Sequence, residues 1–287
     1  MHASDGGENL VRCPALRIPH PERVLYPKTG ITRGEGVSYY AEVAPYLLQQ
    51  AEGRALTVKR WPHGIQGPMF YQKHPSPGVP LTVSRVEELL FWVGQGALEW
   101  HAPLGFLDNP GQHTWVVLDL DPNPPAGWND VLTAGFAFKQ LLELMGVGYL
   151  MKTSGQRGLH FYVRVLPVDW RVAMAIIKQW AALIAKTIPD VATVERLKRD
   201  RGPRVYLDYL QNGRGRTTVM AYSLRATPGA SVSSPITWPQ AAHPPGYWTM
   251  ERTRNQLKKH GNLFCWKGPP VDLVKVAIRH GFRKEGG

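Results

Sequence analysis

The stretch from residue 115 to residue 211 constrains the fold most strongly, because its hydrophobic periodicity changes repeatedly between strand and helix types. Apolar runs typical of strands lie at 115–121, 148–154, 159–165 and 204–211. Amphipathic patterns of the helical period lie between them, at about 129–145 and 170–187. The predicted order is therefore β-α-β-β-α-β.

This order is that of the ferredoxin-like or RRM-like unit. In its usual sheet order the first strand lies between the third and the fourth, so residues on strands 115–121, 159–165 and 204–211 should converge. Each of the two predicted helices carries a set of apolar residues expected to be buried. The first consists of Val131, Phe138, Leu141, Leu142 and Met145, and the second, capped by Asp169, of Val172, Ile176, Trp180, Leu183 and Ile184.

The flanking regions carry weaker signals. Thr32 and Glu35 fit a capping box, which predicts a helix beginning near Thr32. Short strands are predicted at 55–61 and near 69–73, and two helices near 250–260 and 271–280.

Two acids stand on the otherwise apolar strand 115–121. Asp119 and Asp121 are two residues apart and share a face, whereas Leu118 and Leu120 point into the opposite layer. Asp208 interrupts the apolar run of the strand predicted to lie beside them. Three clustered carboxylates indicate divalent metal ions, and two such ions can support in-line phosphoryl transfer. The alternative is that the acids are merely exposed at a strand tip ended by Pro122.

The segment SGQRGLH joins strands 148–154 and 159–165. Gly155 and Gly158 permit a tight turn whose backbone N–H groups, with Ser154 and Arg157, could cradle a triphosphate. His160 should then lie beside the first strand, where it could donate to a phosphate oxygen. The alternative is an ordinary hairpin turn with a half-buried histidine. The spacing to Lys152 and the missing GK[ST] disfavour a P-loop ATPase.

Charge and hydropathy favour a nucleic-acid partner and no membrane. The formal net charge is +12, and basic residues concentrate at 196–204, 212–216, 252–260 and 279–284. No apolar run approaches the roughly 18 to 20 residues of a membrane span, and the first residues lack a secretory signal. We therefore expect a cytoplasmic, nucleoid-associated protein.

Six ordered motifs resemble a known family. They are HPERVLYPKTGIT, LTVKRWPHGI, VVLDLDP, KTSGQRGLHFYV, VYLDYLQN and TTVMAYSLRATPGASVSSPITW. Together they are similar to the polymerase domain of bacterial ligase D, a primase-polymerase of the archaeo-eukaryotic primase superfamily that serves non-homologous end joining. The resemblance implies an α/β (α+β) fold in which the RRM-like catalytic sheet packs against an N-terminal α/β module.

The resemblance also implies roles for individual residues. The catalytic metal ligands would be Asp119, Asp121 and Asp208, holding two Mn²⁺ or Mg²⁺ ions. The residues that would bind the incoming NTP or dNTP are Lys59, His101, Ser154, Gly155, His160, Gln211 and Arg225. For His101 the alternative is a partly buried core histidine.

The DNA contacts implied by the resemblance lie nearer the N-terminus. Arg23 and Arg33 occupy positions where the family often has lysines that bind a downstream 5′-phosphate, and guanidinium can bind phosphate bidentately. Phe70 and Tyr71 match an aromatic pair that stacks on template bases, although a core role for one of them is an alternative.

We therefore expect a DNA-directed polymerase that fills gaps and extends broken ends, preferring ribonucleotides and using manganese well. The domain should span 15–283, with an N-terminal module at about 15–105, a catalytic module at about 106–230 and C-terminal helices at about 248–283. It would act on gapped or broken DNA with Ku and a separate DNA ligase. Two alternatives remain: a de novo primase in replication or damage tolerance, and a non-catalytic module that bridges DNA ends.

Overall fold

The structure, a computed structural model, describes residues 17–283, so residues 15 and 16 of the expected domain lie outside the described residues. The strands are β1 (Val24–Tyr26), β2 (Ile31–Thr32), β3 (Thr57–Arg60), β4 (Phe70–Gln72), β5 (Ala97–Pro103), β6 (Gln112–Pro122), β7 (Leu150–Thr153), β8 (Leu159–Asp169), β9 (Ala192–Thr193), β10 (Val205–Asp208) and β11 (Thr217–Val219). The α-helices are α1 (Arg33–Ala51), α2 (Val86–Gly94), α3 (Trp128–Leu144), α4 (Trp170–Thr187), α5 (Met250–His260) and α6 (Leu273–Arg279).

The five-stranded sheet has the order β7-β8-β6-β10-β9. Strand β6 lies between β8 and β10, which confirms the predicted RRM-like arrangement. The short strand β9, which was not predicted, extends the sheet by pairing in parallel with β10. Helices α3 and α4 cover one face, where their apolar side chains form a core with those of β6 and β8.

The apolar stripes of these two helices follow the predicted period, with one exception. Asp169 caps α4 by accepting a hydrogen bond from the backbone N–H of Arg171. Leu183 was predicted to be buried but is 42% exposed. Leu183 lies at the edge of the buried face of α4, which consists of two adjacent rows, residues 172, 176, 180 and 184 and residues 173, 177 and 181.

The four-stranded sheet has the order β11-β5-β3-β4. Helices α1 and α2 pack on it and form a second core. The predicted capping box at the start of α1 is present, with reciprocal hydrogen bonds between Thr32 and Glu35. Helix α2 and strand β5 were not predicted.

Strand β11 links the two halves of the chain. It follows the five-stranded sheet in sequence but pairs with β5, where Val219 lies opposite His101. The division of the chain into three modules stays a prediction. Strand β11 lies within the range assigned to the catalytic module, although it belongs to the four-stranded sheet. The two predicted C-terminal helices are present as α5 and α6. Within residues 17–283, no helix combines the length and apolar character needed to cross a membrane.

Candidate active site

A row of polar side chains crosses four neighbouring strands of the five-stranded sheet. Asp119 on β6 lies directly opposite Asp208 on β10 and directly opposite His160 on β8. His160 in turn lies opposite Lys152 on β7. Residues opposed in this way have Cβ atoms about 5 Å apart on one face. The sheet register therefore brings together three residues whose convergence was predicted, and adds Lys152.

The carboxylates face away from the helical core. Leu118 and Leu120, which alternate with Asp119 and Asp121, are buried against α3 and α4. Asp119 Oδ1 lies 3.2 Å from His160 Nε2, and Asp121 Oδ2 lies 3.7 Å from an Arg201 guanidinium nitrogen. Asp208 Oδ1 accepts a hydrogen bond from the Leu210 backbone N–H at 2.9 Å. Each acid is therefore held, but by a different kind of partner.

The acids repel one another electrostatically. Burial and the neighbouring Asp119 carboxylate raise the pKa of both Asp121 and Asp208. Burial would also raise the pKa of Asp119, but the adjacent His160, with Lys152 and Arg225 behind it, lowers that pKa. Raised pKa values in a cluster of acids indicate that the negative charge is incompletely compensated by the protein.

The donor set fits divalent cations in its chemistry, since it offers carboxylate oxygens from adjacent strands. As the side chains lie, however, no group of three or more His, Cys, Asp or Glu within residues 17–283 is close enough together to hold a metal ion. Asp208 is also engaged within the protein, because its Oδ2 accepts a hydrogen bond from Gln211 Nε2 at 2.8 Å.

The SGQRG turn is built around Ser154. Its hydroxyl oxygen accepts hydrogen bonds from the backbone N–H groups of Gln156 at 3.2 Å and Gly158 at 2.9 Å. Two of the N–H groups expected to cradle a triphosphate are therefore used within the turn. Both glycines are required by close approach: a Cβ on Gly155 would lie 2.5 Å from Arg225 Cγ, and one on Gly158 would lie 2.3 Å from the Leu120 carbonyl oxygen. Gly155 also has a φ of +71°.

Lys152 is a buried member of the site whose role sequence reasoning missed. Its ammonium group is fully buried and donates to Ser233 Oγ at 2.8 Å, while lying 3.0 Å from His160 Nδ1. Burial and the nearby Arg225 hold the pKa of Lys152 well below its usual value. Burial also lowers the pKa of His160, which favours the neutral imidazole. Because Asp119 can only accept, His160 Nε2 carries the proton and Nδ1 accepts from Lys152.

Three predicted nucleotide-binding residues surround Glu99, which lies on β5 of the four-stranded sheet. Its Oε2 atom lies 3.1 Å from Lys59 Nζ and 3.3 Å from His101 Nε2. Its Oε1 atom lies 3.2 Å from Arg225 Nε. Sequence reasoning missed Glu99, although a charge between the buried Leu98 and Trp100 is the same signal that identified Asp208.

The two sheets enclose a cavity of about 260 Å³. The predicted site residues that line it are His101, Asp119, Asp121, Ser154, His160, Gln211 and Arg225. Lys59, Gly155 and Asp208 adjoin this set through Glu99, Arg225 and Asp119 respectively. The rest of the cavity lining consists of Gln156, Arg157, Gly158 and residues 217–219. The structure therefore brings seven of the ten predicted metal and nucleotide residues to one cavity between the two sheets, and the other three adjoin them.

The predicted template-stacking pair lies on β4, at the outer edge of the four-stranded sheet. Phe70 is 52% exposed and Tyr71 is 62% exposed, so the alternative of a core role is wrong for both. Lys59 Nζ lies 5.8 Å from the centre of the Tyr71 ring. The exposed pair therefore adjoins the Lys59 side of the cavity.

The two predicted phosphate-binding arginines differ in their surroundings. Arg33 is only 3% exposed, and its guanidinium group donates to the carbonyl oxygens of Pro19 and Pro62, the latter at 2.6 Å. Arg23 is half-buried, donates to the Pro62 carbonyl oxygen at 3.2 Å and lies 3.1 Å from His63 Nδ1. The expectation that Arg33 contacts DNA directly does not fit its buried guanidinium, which instead joins two chain segments beside Arg23.

Known proteins resemble this chain over most of its length. A family model described as the primase-polymerase domain of LigD matches residues 32–264. The multifunctional non-homologous end joining protein LigD of Pseudomonas aeruginosa is 32% identical over 257 residues, which are 81% of this chain and 30% of that protein. The bifunctional non-homologous end joining protein LigD of Bacillus subtilis is 29% identical over 294 residues, which are 95% of this chain and 47% of that protein. The chain thus spans about a third to a half of these relatives.

A solved structure is similar to most of this chain. It is the polymerase domain of Mycobacterium tuberculosis ligase D in complex with DNA, with a TM-score of 0.79 and 29% sequence identity. The similarity covers 87% of this chain and 96% of that domain.

Proposed function

We infer the function of this chain from the family to which it belongs, the LigD primase-polymerase domain family. It is a template-dependent nucleotidyltransferase that extends the 3′-hydroxyl of a primer in gaps and at broken DNA ends, in non-homologous end joining. The observation that carries this proposal is the register that aligns Asp208, Asp119 and His160 across one sheet. Asp119 and His160 line the same cavity as His101 and Arg225.

The three acids are the proposed ligands of two divalent cations, Mn²⁺ or Mg²⁺. When bound, such ions lower the pKa of the attacking hydroxyl and offset the charge on the leaving pyrophosphate. Asp119 is the central ligand, because it lies between Asp208 and His160 and two residues from Asp121. The pKa values of Asp121 and Asp208, raised by burial and by the Asp119 carboxylate, support this role, since a bound cation would stabilise the ionised acids.

The remaining cavity residues bind the nucleotide. Arg225 and Lys59 supply positive charge to the triphosphate, while Ser154, Gly155 and His160 shape the side of the cavity nearest the acids. Gln211 and His101 contact the nucleotide from the β10 and β5 sides. A preference for ribonucleotides is part of the proposal and is supported only by the family resemblance.

DNA lies across the outer edge of the four-stranded sheet in this proposal. Phe70 and Tyr71 stack on template bases, as their exposure permits. Arg23 contacts the downstream 5′-phosphate, and Arg33 supports it by holding the Pro19 and Pro62 segments together. Ku and a separate DNA ligase are the proposed partners in end joining.

A gapped duplex tests the proposed function directly. We expect the wild-type chain to fill a short gap with Mn²⁺ or Mg²⁺, more efficiently with ribonucleotides than with deoxyribonucleotides and more efficiently when the downstream strand carries a 5′-phosphate. Asp119→Ala should abolish synthesis while retaining DNA binding. Equal extension by wild type and Asp119→Ala would contradict the catalytic assignment, and synthesis without any primer would favour the de novo primase.

The same substrate separates the two arginines. Arg23→Ala should weaken binding to the phosphorylated gap more than to the unphosphorylated gap, measured by fluorescence anisotropy. Arg33→Ala should lower the melting temperature as well, because its buried guanidinium joins two chain segments. Equal losses on both substrates for Arg23→Ala would reduce Arg23 to general backbone affinity.

A further inference from the structure

We propose that Glu99 is a positioning residue that holds Lys59, His101 and Arg225 in the arrangement that receives the nucleotide triphosphate. This inference rests on the proposed function, because it specifies how one side of the same cavity is organised. Glu99 itself does not touch the nucleotide in this proposal; it acts through the three side chains that it contacts.

Both carboxylate oxygens of Glu99 are engaged, and by groups from separate parts of the chain. Oε2 contacts Lys59 of β3 and His101 of β5. Oε1 contacts Arg225 and accepts a hydrogen bond from the backbone N–H of Ala226 at 3.1 Å, after β11. Glu99 therefore connects three chain segments.

The burial of Glu99 indicates a function beyond an ordinary surface ion pair. The side chain is only 2% exposed, and a buried carboxylate is costly unless charged partners compensate it. Burial would raise the pKa of Glu99, but the hydrogen bond from His101 and the charges of Arg225 and Lys59 lower it well below its usual range. Glu99 thus stays ionised at neutral pH.

The charge balance of the cluster leaves it attractive to an anion. Lys59 and Arg225 contribute two positive charges and Glu99 one negative charge, for a net charge of +1. Burial lowers the pKa of His101 to about 4, so the imidazole is neutral at pH 7. Without Glu99 the two cations would repel each other; with it they are held close and still carry a surplus positive charge.

The partners of Glu99 extend from it to the cavity. His101 and Arg225 line the cavity, and Arg225 also donates to the Ser154 carbonyl oxygen at 3.0 Å. Arg225 therefore connects Glu99 on one sheet with the SGQRG turn on the other. Groups fixed in advance in this way bind a transferring phosphate without the cost of ordering them.

The test is the isosteric substitution Glu99→Gln, which removes the charge and keeps the size. We expect the KM for the nucleotide in gap extension to rise about 10- to 100-fold, as for other residues that orient binding groups. The KM for gapped DNA should stay within about twofold, because Glu99 contacts none of the proposed DNA-binding residues. Glu99→Asp, which keeps the charge, should restore part of the nucleotide affinity.

A matched control is Glu88→Gln, which removes another arginine-paired carboxylate, 3.0 Å from Arg85, outside the cavity. It should leave both KM values unchanged. A double substitution tests the coupling: Lys59→Met should cost less nucleotide affinity in the Glu99→Gln background than in the wild type, because Lys59 has already lost its anchor.

Two measurements keep the outcomes apart. Calorimetric titration of wild type and Glu99→Gln with a non-hydrolysable NTP measures binding without polymerase activity, and thermal unfolding reports whether the variant is folded. A folded Glu99→Gln with wild-type nucleotide affinity, or one in which the KM values for DNA and nucleotide rise equally, would overturn the proposal. A wild type that binds nucleotide in a Glu99-dependent way but extends no primer would instead overturn the proposed function alone.

Discussion

The cavity lies between two walls in which the pKa values of the carboxyl groups are shifted in opposite directions. The acidic wall is the part of the five-stranded sheet that carries Asp119, Asp121 and Asp208. The cationic wall is the part of the four-stranded sheet that carries Lys59, Glu99 and His101, together with the adjacent Arg225. On the five-stranded sheet, burial and mutual repulsion raise the pKa of Asp121 and Asp208. On the four-stranded sheet, Glu99 is buried as deeply as a core residue, yet its pKa is lowered because Arg225, Lys59 and His101 surround it. Identical chemical groups thus acquire opposite shifts from their neighbours.

The opposite pKa shifts indicate which wall has negative charge that the protein itself does not compensate. The cationic wall balances its buried acid with its own side chains and retains one surplus positive charge. On the acidic wall, the pKa values of Asp121 and Asp208 stay raised although His160 and Arg201 lie near the acids, which indicates that the protein's own groups do not fully compensate the three carboxylates. A substrate that carries metal ions on a triphosphate would complement both walls at once.

Substituting Asp208 should break the acidic wall with the largest effect. Asp208→Asn is expected to lower kcat for gap extension by about 10³-fold or more, because metal-assisted charge stabilisation contributes several kcal/mol. The increase in Tm on adding Mn²⁺ should also be reduced. Asp130→Asn, at an exposed helix cap, is the matched control. Retained activity in Asp208→Asn would remove Asp208 from the catalytic set.

Substituting Lys152 should affect the acidic wall indirectly, through its contact with His160. Lys152→Met removes the donor to His160 Nδ1 and should lower kcat about 10- to 100-fold, with little change in the KM for DNA. The ¹⁵N NMR signals of His160 should titrate at a higher pH, because Lys152 no longer lowers the pKa of this imidazole. Lys139→Met, which breaks a surface pair with Glu143, is the control. An unchanged titration of His160 together with an unchanged kcat would make Lys152 a purely structural residue.

Substitutions on β4, at the outer edge of the four-stranded sheet, should have a smaller effect, on the affinity for DNA. Phe70→Ala and Tyr71→Ala are each expected to weaken binding of gapped DNA about tenfold, because stacking contributes roughly 1–3 kcal/mol per base. Fluorescence anisotropy measures this loss. Phe91→Ala, a similarly exposed phenylalanine on α2, serves as the control. An equal loss from Phe91→Ala would show that exposed apolar area, rather than base stacking, is responsible.

The smallest expected effect is on thermal stability, and its direction should differ between the two walls. The pKa of Asp208 is higher in the folded protein than its usual value of 3.8. The protonated carboxyl group therefore stabilises the fold below pH 3.8, and this stabilisation is lost as the pH rises through the pKa of the folded protein. For Glu99 the folded pKa is lowered, so the stability that its ionised form contributes is present above the usual value of 4.5 and is lost as the pH falls.

In a chelator at pH 7, Asp208→Asn should therefore raise Tm and Glu99→Gln should lower it, each by about 2 °C or more. Thermal unfolding followed by circular dichroism gives both values, and repetition at pH 4 should shrink the two differences. Shifts of the same sign at pH 7 would contradict the view that the two walls differ electrostatically.

Much of the acidic wall was predictable from local patterns. The two-residue period placed Asp119 and Asp121 on one face, and the β-α-β-β-α-β order brought His160 and Asp208 beside them, as the register confirms. The partners of Lys152 and Glu99 were not predictable in this way. Ser233, Lys59 and Arg225 reach them from segments separated by tens of residues, and β5, which carries Glu99, was itself not predicted.

The sequence by itself determined the identity and spacing of the chemical groups, the two amphipathic helices and the strand faces, because these depend on periodicities that act over a few residues. Only the tertiary structure decided the electrostatic character of each wall. The pKa of Glu99 and the burial of Arg33 both depend on contacts between residues far apart in the sequence, and such contacts form only when the chain folds.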